Sequence, residues 1–145
     1  MSTEPPRRTR RFGGAAIILG VLLISGIPVR ADSQTRRPVS ESFLLHCSGC
    51  HQRDGRGTPG VAPDLREIGA LLDLDGGRSY LGRVPGVAQA PVGDEELARL
   101  LTWVLTEIAG RPPEPAYTAE EIHGLRARPL RDPIAARQAL FRSSP

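Results

Sequence analysis

Residues 47–51 read Cys47-Ser48-Gly49-Cys50-His51, and these are the only two cysteines in the 145-residue chain. Two thiols and an imidazole therefore fall within little more than one helical turn. The chain around them shows no alternating strand pattern and no internal repeat. It offers short amphipathic stretches instead. Phe43 and Cys47 share a face of a first short helix, which Ser40 can cap. Residues 64–72 carry an apolar stripe of Leu65, Ile68, Leu71 and Leu72, and residues 78–84 place Tyr80, Leu81 and Val84 on one side. The longest helix is expected over 94–109, where Leu97, Leu100, Leu101, Val104, Leu105 and Ile108 follow helical spacing. Thr118 with Glu121 fits a capping box, and Asp132-Pro133 opens a last helix. Glycine- and proline-marked loops separate these pieces at 52–63 and 85–93. The fold class is all-α, with more loop than a core of this size holds together alone. A large apolar cofactor in the middle would resolve that.

The cysteine motif says which cofactor. A zinc site needs four ligands, and the motif supplies three with no second cysteine pair in the chain. A thioredoxin-like redox pair needs a βαβ setting, which is absent from the pattern. A plain disulfide leaves His51 without a role. Cys-x-x-Cys-His is the attachment signature of haem c, one per motif. Both sulfurs can bond one edge of a porphyrin, and His51 can turn its imidazole under the ring to ligate iron. Ser48 and Gly49 are small enough to let the ring approach the backbone.

The start of the chain agrees with that chemistry. Arg7, Arg8, Arg10 and Arg11 precede an uncharged apolar run over 15–27, then Pro28 and a small-residue site at Val29-Arg30-Ala31. This is the layout of a secretory signal over 1–31, and the run is short for a bilayer span of about 20 residues. An exported, periplasmic protein is expected, membrane-bound only if the signal stays uncleaved. Without residues 1–31 the chain holds 14 arginines against 15 acids, a formal −1. The basic pI of the whole chain thus belongs mostly to the signal, and nucleic acid is not an expected partner.

From the haem motif onward the chain resembles a class I c-type cytochrome. Cys47-x-x-Cys50-His51 is followed by Gly55-Arg56-Gly57, then Ala62-Pro63-Asp64-Leu65, then a loop and a long amphipathic helix, over residues 38–110. The resemblance implies the cytochrome c fold around one haem. It implies that the first and the long later helices cross near a haem edge. It also implies that Pro63 offers its carbonyl to the histidine beneath the iron. The domain reading is a signal over 1–31, a cytochrome domain over 32–110 and a helical extension over 111–145. That extension lies beyond the usual family end and is expected to pack on the domain through Ile122, Leu125, Leu130 and Leu140.

One family feature is missing. The loop before the last helix, here 85–93, usually supplies a methionine as sixth ligand, and the only methionine is Met1. The replacements weighed are a vacant or water-filled position, His123, Tyr80 and Gln89, with His46 disfavoured by its place beside Cys47. Tyr80 and the arginines Arg83 and Arg78 are also candidates for the haem propionates. Trp103 is expected to pack the long helix. The function expected is single-haem electron transfer, without enzymatic activity, between redox proteins such as a dehydrogenase and a terminal acceptor. Two other readings are a haem protein whose open sixth site binds small ligands, and a haem subunit docked on a larger oxidoreductase.

Overall fold

The computed structural model describes residues 37–143, so the expected signal over 1–31 lies outside the described residues. Helix α1 (Val39–His46) starts from Pro38, whose carbonyl accepts Glu41 N–H at 3.0 Å and Ser42 N–H at 3.2 Å. Ser40 therefore sits inside the first turn and does not cap it; a proline that lacks its own N–H takes that place. At Cys47 the backbone leaves helical geometry (φ −122°), and α2 (Ser48–His51) begins a new turn. The Ser48 hydroxyl donates to Leu44 C=O at 2.7 Å and ties the two helices together.

Leu65–Asp73 is a 3-10 helix, not an α-helix. Its inward residues explain why. Leu65, Ile68 and Leu71 are spaced by three, and three residues per turn stack them on one line, where they are buried. Asp64 caps it, its carboxylate accepting Arg66 N–H at 2.9 Å. The neighbouring Arg66 guanidinium lowers the pKa of that carboxyl to about 2. Helices α3 (Gly77–Arg83) and α4 (Pro85–Ala88) follow, the second within a stretch that the sequence reads as loop.

The long helix is α5 (Asp94–Trp103), which continues as a π-helical turn over Val104–Ile108. Leu97, Leu100, Leu101, Val104 and Leu105 are all buried. Thr106 Oγ1 donates to Thr102 C=O at 2.9 Å inside the widened turn, the kind of side-chain bond that perturbs a helix ladder. Helix α1 crosses α5: Phe43 and Trp103 meet with ring centroids 5.5 Å apart, and the buried Ser42 hydroxyl donates to Glu96 at 2.5 Å.

Beyond residue 110 the chain returns to the core. Tyr117 is buried and its hydroxyl donates to Arg78 C=O at 2.8 Å. Helix α6 (Ala119–Arg126) is capped by Thr118, whose hydroxyl accepts Glu121 N–H. The Glu121 carboxylate does not complete the box, because it pairs with Arg78 at 2.6 Å. Ile122 is fully buried, and Leu125 lies so close to Gly82 that a Cβ there would sit 2.5 Å from it. Helix α7 (Pro133–Ser143) starts at Asp132, which accepts Ala135 N–H at 2.8 Å. It is anchored by Leu140 against the core and by the preceding Leu130 N–H bond to Arg83 C=O at 2.9 Å. Among the described residues there is no strand, only an isolated bridge between Thr58 and Ala62, and no helix long and apolar enough to cross a membrane.

Arg126 fastens this tail to the segment before α5. Its guanidinium donates to the carbonyls of Ala88, Ala90 and Val92 and to the Asp94 carboxylate, at 2.7–3.1 Å. Arg126→Ala takes a donor from three carbonyls, of which Ala90 C=O keeps the Val92 N–H, and should cost about 2–3 kcal/mol in chemical denaturation, with Arg126→Lys only partly restoring it. The same cluster sets an acid response. Hydrogen bonds from Arg126 and then His123 hold the Asp94 carboxyl below its ordinary range. That stabilisation is present above the ordinary carboxylate range and fades as pH falls through the lowered value. Melting temperature followed from pH 7 to pH 2 should therefore fall less steeply in Asp94→Asn than in the wild type, from a lower starting point.

Candidate haem site

A cavity of about 870 Å³ lies between α1, the 3-10 helix, α3, α5 and α7. Phe43, Leu65, Ile68, Leu97 and Leu101 make up part of its wall. Cys47, Cys50, His51 and Pro63 lie together along it, so the motif and the expected histidine partner open onto one space. The two cysteines do not form a disulfide with each other. Cys47 is half-buried and burial pushes its thiol pKa up, whereas Cys50 is exposed. Among the described residues no three His, Cys, Asp or Glu side chains converge as a metal-holding cluster.

His51 Nδ1 lies 3.0 Å from Pro63 C=O. A carbonyl can only accept, so Nδ1 carries the proton and Nε2 keeps its lone pair for a metal. The loop between the two residues is built to hold that contact. Gly57 N–H donates to His51 C=O at 2.9 Å, and Leu65 N–H to Gly55 C=O at 2.7 Å. Thr58 exchanges backbone bonds with Ala62, and its hydroxyl donates to Cys50 C=O at 2.9 Å. Thr58 thus ties the loop to the cysteine turn, a role that no spacing in the sequence marks. Gly57 has φ +74°, and a Cβ there would lie 2.3 Å from the Pro63 oxygen, so the second glycine of Gly55-Arg56-Gly57 is required by close approach.

The other candidates divide. Tyr80 lines the cavity, half-buried, with its hydroxyl pKa raised by burial. Arg83 is not on the lining; its Nε donates to Arg128 C=O at 2.7 Å. Arg78 is held by Glu121 and Pro115 C=O and stacks 4.1 Å over the Tyr117 ring. His123 faces Asp94 at 2.9 Å, and neither it nor Gln89 borders the cavity. His46 does border it, on the cysteine side. The contributors that sequence reading missed come from α7: Pro133, Ile134, Arg137, Gln138 and Phe141 all line the cavity. Their signal was available, since Ile134, Arg137, Gln138 and Phe141 follow i, i+3, i+4, i+7.

A search of family models finds no match. The chain is similar to a cytochrome c-552 of Thermus thermophilus, 34% identical over 139 residues that cover 78% of this chain and 87% of that protein. A second cytochrome c-552 from Thermus thermophilus is 34% identical over 113 residues, covering 61% of this chain and 84% of that one. The chain belongs to the c-type cytochromes. It is accordingly an electron carrier with covalently bound haem c and its iron, and its all-α structure is the cytochrome c fold.

The cavity of this cytochrome fits that group. Its wall is mostly apolar, as a porphyrin face requires, and its volume falls in the range of cofactor sites. Val61, Ile134 and Phe141 are 72%, 72% and 53% exposed, and all three border the cavity. Large apolar side chains left open in a cluster mark a surface that something covers. Gly57→Ala would force the Pro63 carbonyl away from His51. The expected results are a loss of about 1–3 kcal/mol in denaturation and a His51 Nδ1–H proton that exchanges faster by NMR.

Proposed function

We propose that this cytochrome is an exported, single-haem carrier that works in the periplasm. In this reading Cys47 and Cys50 hold the porphyrin by thioether bonds and His51 Nε2 ligates the iron. Pro63 orients that imidazole and raises its basicity. The observation that carries it is the 3.0 Å contact between His51 Nδ1 and Pro63 C=O on the wall that also holds both thiols. The haem supplies reversible one-electron exchange. The chain's own part is to anchor, to orient and to keep water off, through Phe43, Leu97, Leu101 and their neighbours. The exposure of Cys50 supports a haem edge close to the surface, where an electron can pass to a redox partner such as a dehydrogenase or a terminal acceptor.

The domain proposal follows the same division: residues 1–31 as a cleaved signal, 32–110 as the cytochrome domain and 111–145 as a helical extension. The position of α7 supports a role for that extension in closing the haem pocket, with Tyr80 facing the same space. Arg83, tied to Arg128, is a weaker propionate candidate than Tyr80.

A second reading concerns the iron's sixth position. The cavity wall over 84–90 presents Val84, Pro85, Gly86, Val87 and Ala90, none of them a metal ligand. With Met1 the only methionine, this supports a position that is open or filled by water. Without a methionine ligand the reduction potential should lie low for the family.

The attachment chemistry is tested by expressing the full chain with a haem-maturation system and extracting it with acidic organic solvent. Cys47→Ala and Cys50→Ala should each keep haem through one thioether, with a shifted pyridine haemochrome band. The double variant should release all of its haem, and haem retained there would overturn the assignment.

A further inference from the structure

The face of α7 that closes the cavity is not uniformly apolar. Between Ile134 and Phe141 it carries Arg137 and Gln138. Arg137 is half-buried, and its guanidinium lies 6.0 Å from the Phe141 ring centroid. A charge placed against an apolar wall carries a solvation cost that calls for a compensating group. No Asp or Glu lines the cavity with it, and Arg137 is the only arginine on that lining among the described residues. Its field reaches Tyr80, where it opposes the rise that burial imposes on the hydroxyl. Gln138, exposed where it borders the cavity, adds an amide donor one residue further on. A guanidinium has five N–H donors and no acceptor, so whatever it meets must accept, and a negative charge is favoured most. The wall over 84–90 leaves the cavity without a strong protein ligand on that segment.

We infer that this cytochrome binds a small monovalent anion within its haem cavity at the iron's sixth position, with Arg137 as charge partner and Gln138 as hydrogen-bond donor. The inference rests on the open sixth position proposed above. It adds the ligand class and the residues that select it. A neutral diatomic gas gains little from the guanidinium charge, so the site discriminates by charge and not by size alone.

The test uses the haem-loaded full chain, with azide titrated into the ferric form and carbon monoxide into the ferrous form, both followed in the Soret band. Arg137→Ala should weaken azide by about tenfold to a hundredfold. Gln138→Ala should weaken it by about three- to tenfold, and Arg137→Lys should fall between wild type and Arg137→Ala. Carbon monoxide affinity should change by no more than about twofold in each, since the lost charge does not act on it. If Arg137→Ala fails to hold haem, Arg137→Lys and Gln138→Ala carry the comparison. Azide affinity that does not change in the variants, while both ligands still bind, overturns the role of Arg137 and leaves the open position standing. An unchanged azide affinity with a shifted reduction potential makes Arg137 a propionate partner and likewise overturns the inference. A low-spin haem that binds neither probe overturns the open position and the inference together.

Discussion

The hydrogen bond from His51 Nδ1 to the Pro63 carbonyl fixes more of this structure than any other single contact. It chooses the imidazole tautomer, and so which nitrogen is free to meet a metal. It also sets the path of the loop between the two residues. Gly57 must be a glycine because the Pro63 oxygen comes within 2.3 Å of where its Cβ would be. The Thr58–Ala62 bridge keeps that carbonyl in place, and Leu65, bonded to Gly55, starts the 3-10 helix whose buried stripe forms one wall of the cavity. One contact thus couples the cysteine turn to the layer of helices beneath it.

The core divides between side chains that pack on one another and side chains that face the cavity. Leu105 and Ile122 are wholly buried within the protein and do not border the cavity. Val61, Ile134 and Phe141 are not, and their large exposed surfaces border the haem space. The apolar surface needed to complete the core belongs to the cofactor, which is why a chain with so many loops can hold a single structure. The polar connections run around this centre. Arg126 gathers three carbonyls and Asp94, and Arg78, a propionate candidate in the sequence, joins Glu121 to Tyr117 instead, so both arginines act as half-buried braces.

The chain beyond residue 110 follows from this division. Ile122 and Leu125 belong to the packed part of the core, and α7 lies on the cavity side, with Leu140 as its anchor and a mixed apolar and polar face turned inward. The segment that usually offers a methionine is here short and apolar, and among the described residues the only half-buried charge on the lining comes from the far end of the chain.

The amino-acid sequence by itself determined the all-α class, the haem motif and its histidine, and the apolar face of the long helix, whereas the pairing of that histidine with Pro63 is what the family resemblance implies and the structure contains. These are local patterns, and the chemistry of each is complete within a few residues or within one short loop. The sequence also shows the missing methionine, since an absence can be read without a fold. Only the tertiary structure decided where the side chains with no local signature go. Arg83, a candidate for the haem propionates, turns to Arg128; His123, one of the sixth-ligand replacements weighed, turns to Asp94. Arg137 and Gln138 carry no mark of a cavity in the sequence beyond their spacing with Ile134 and Phe141, which defines a helix face. The physical reason is that helical spacing gives the direction of a side chain relative to its own helix. Where that helix lies is set by contacts far away in sequence, here Leu140 on the core and the backbone bond from Leu130 to Arg83.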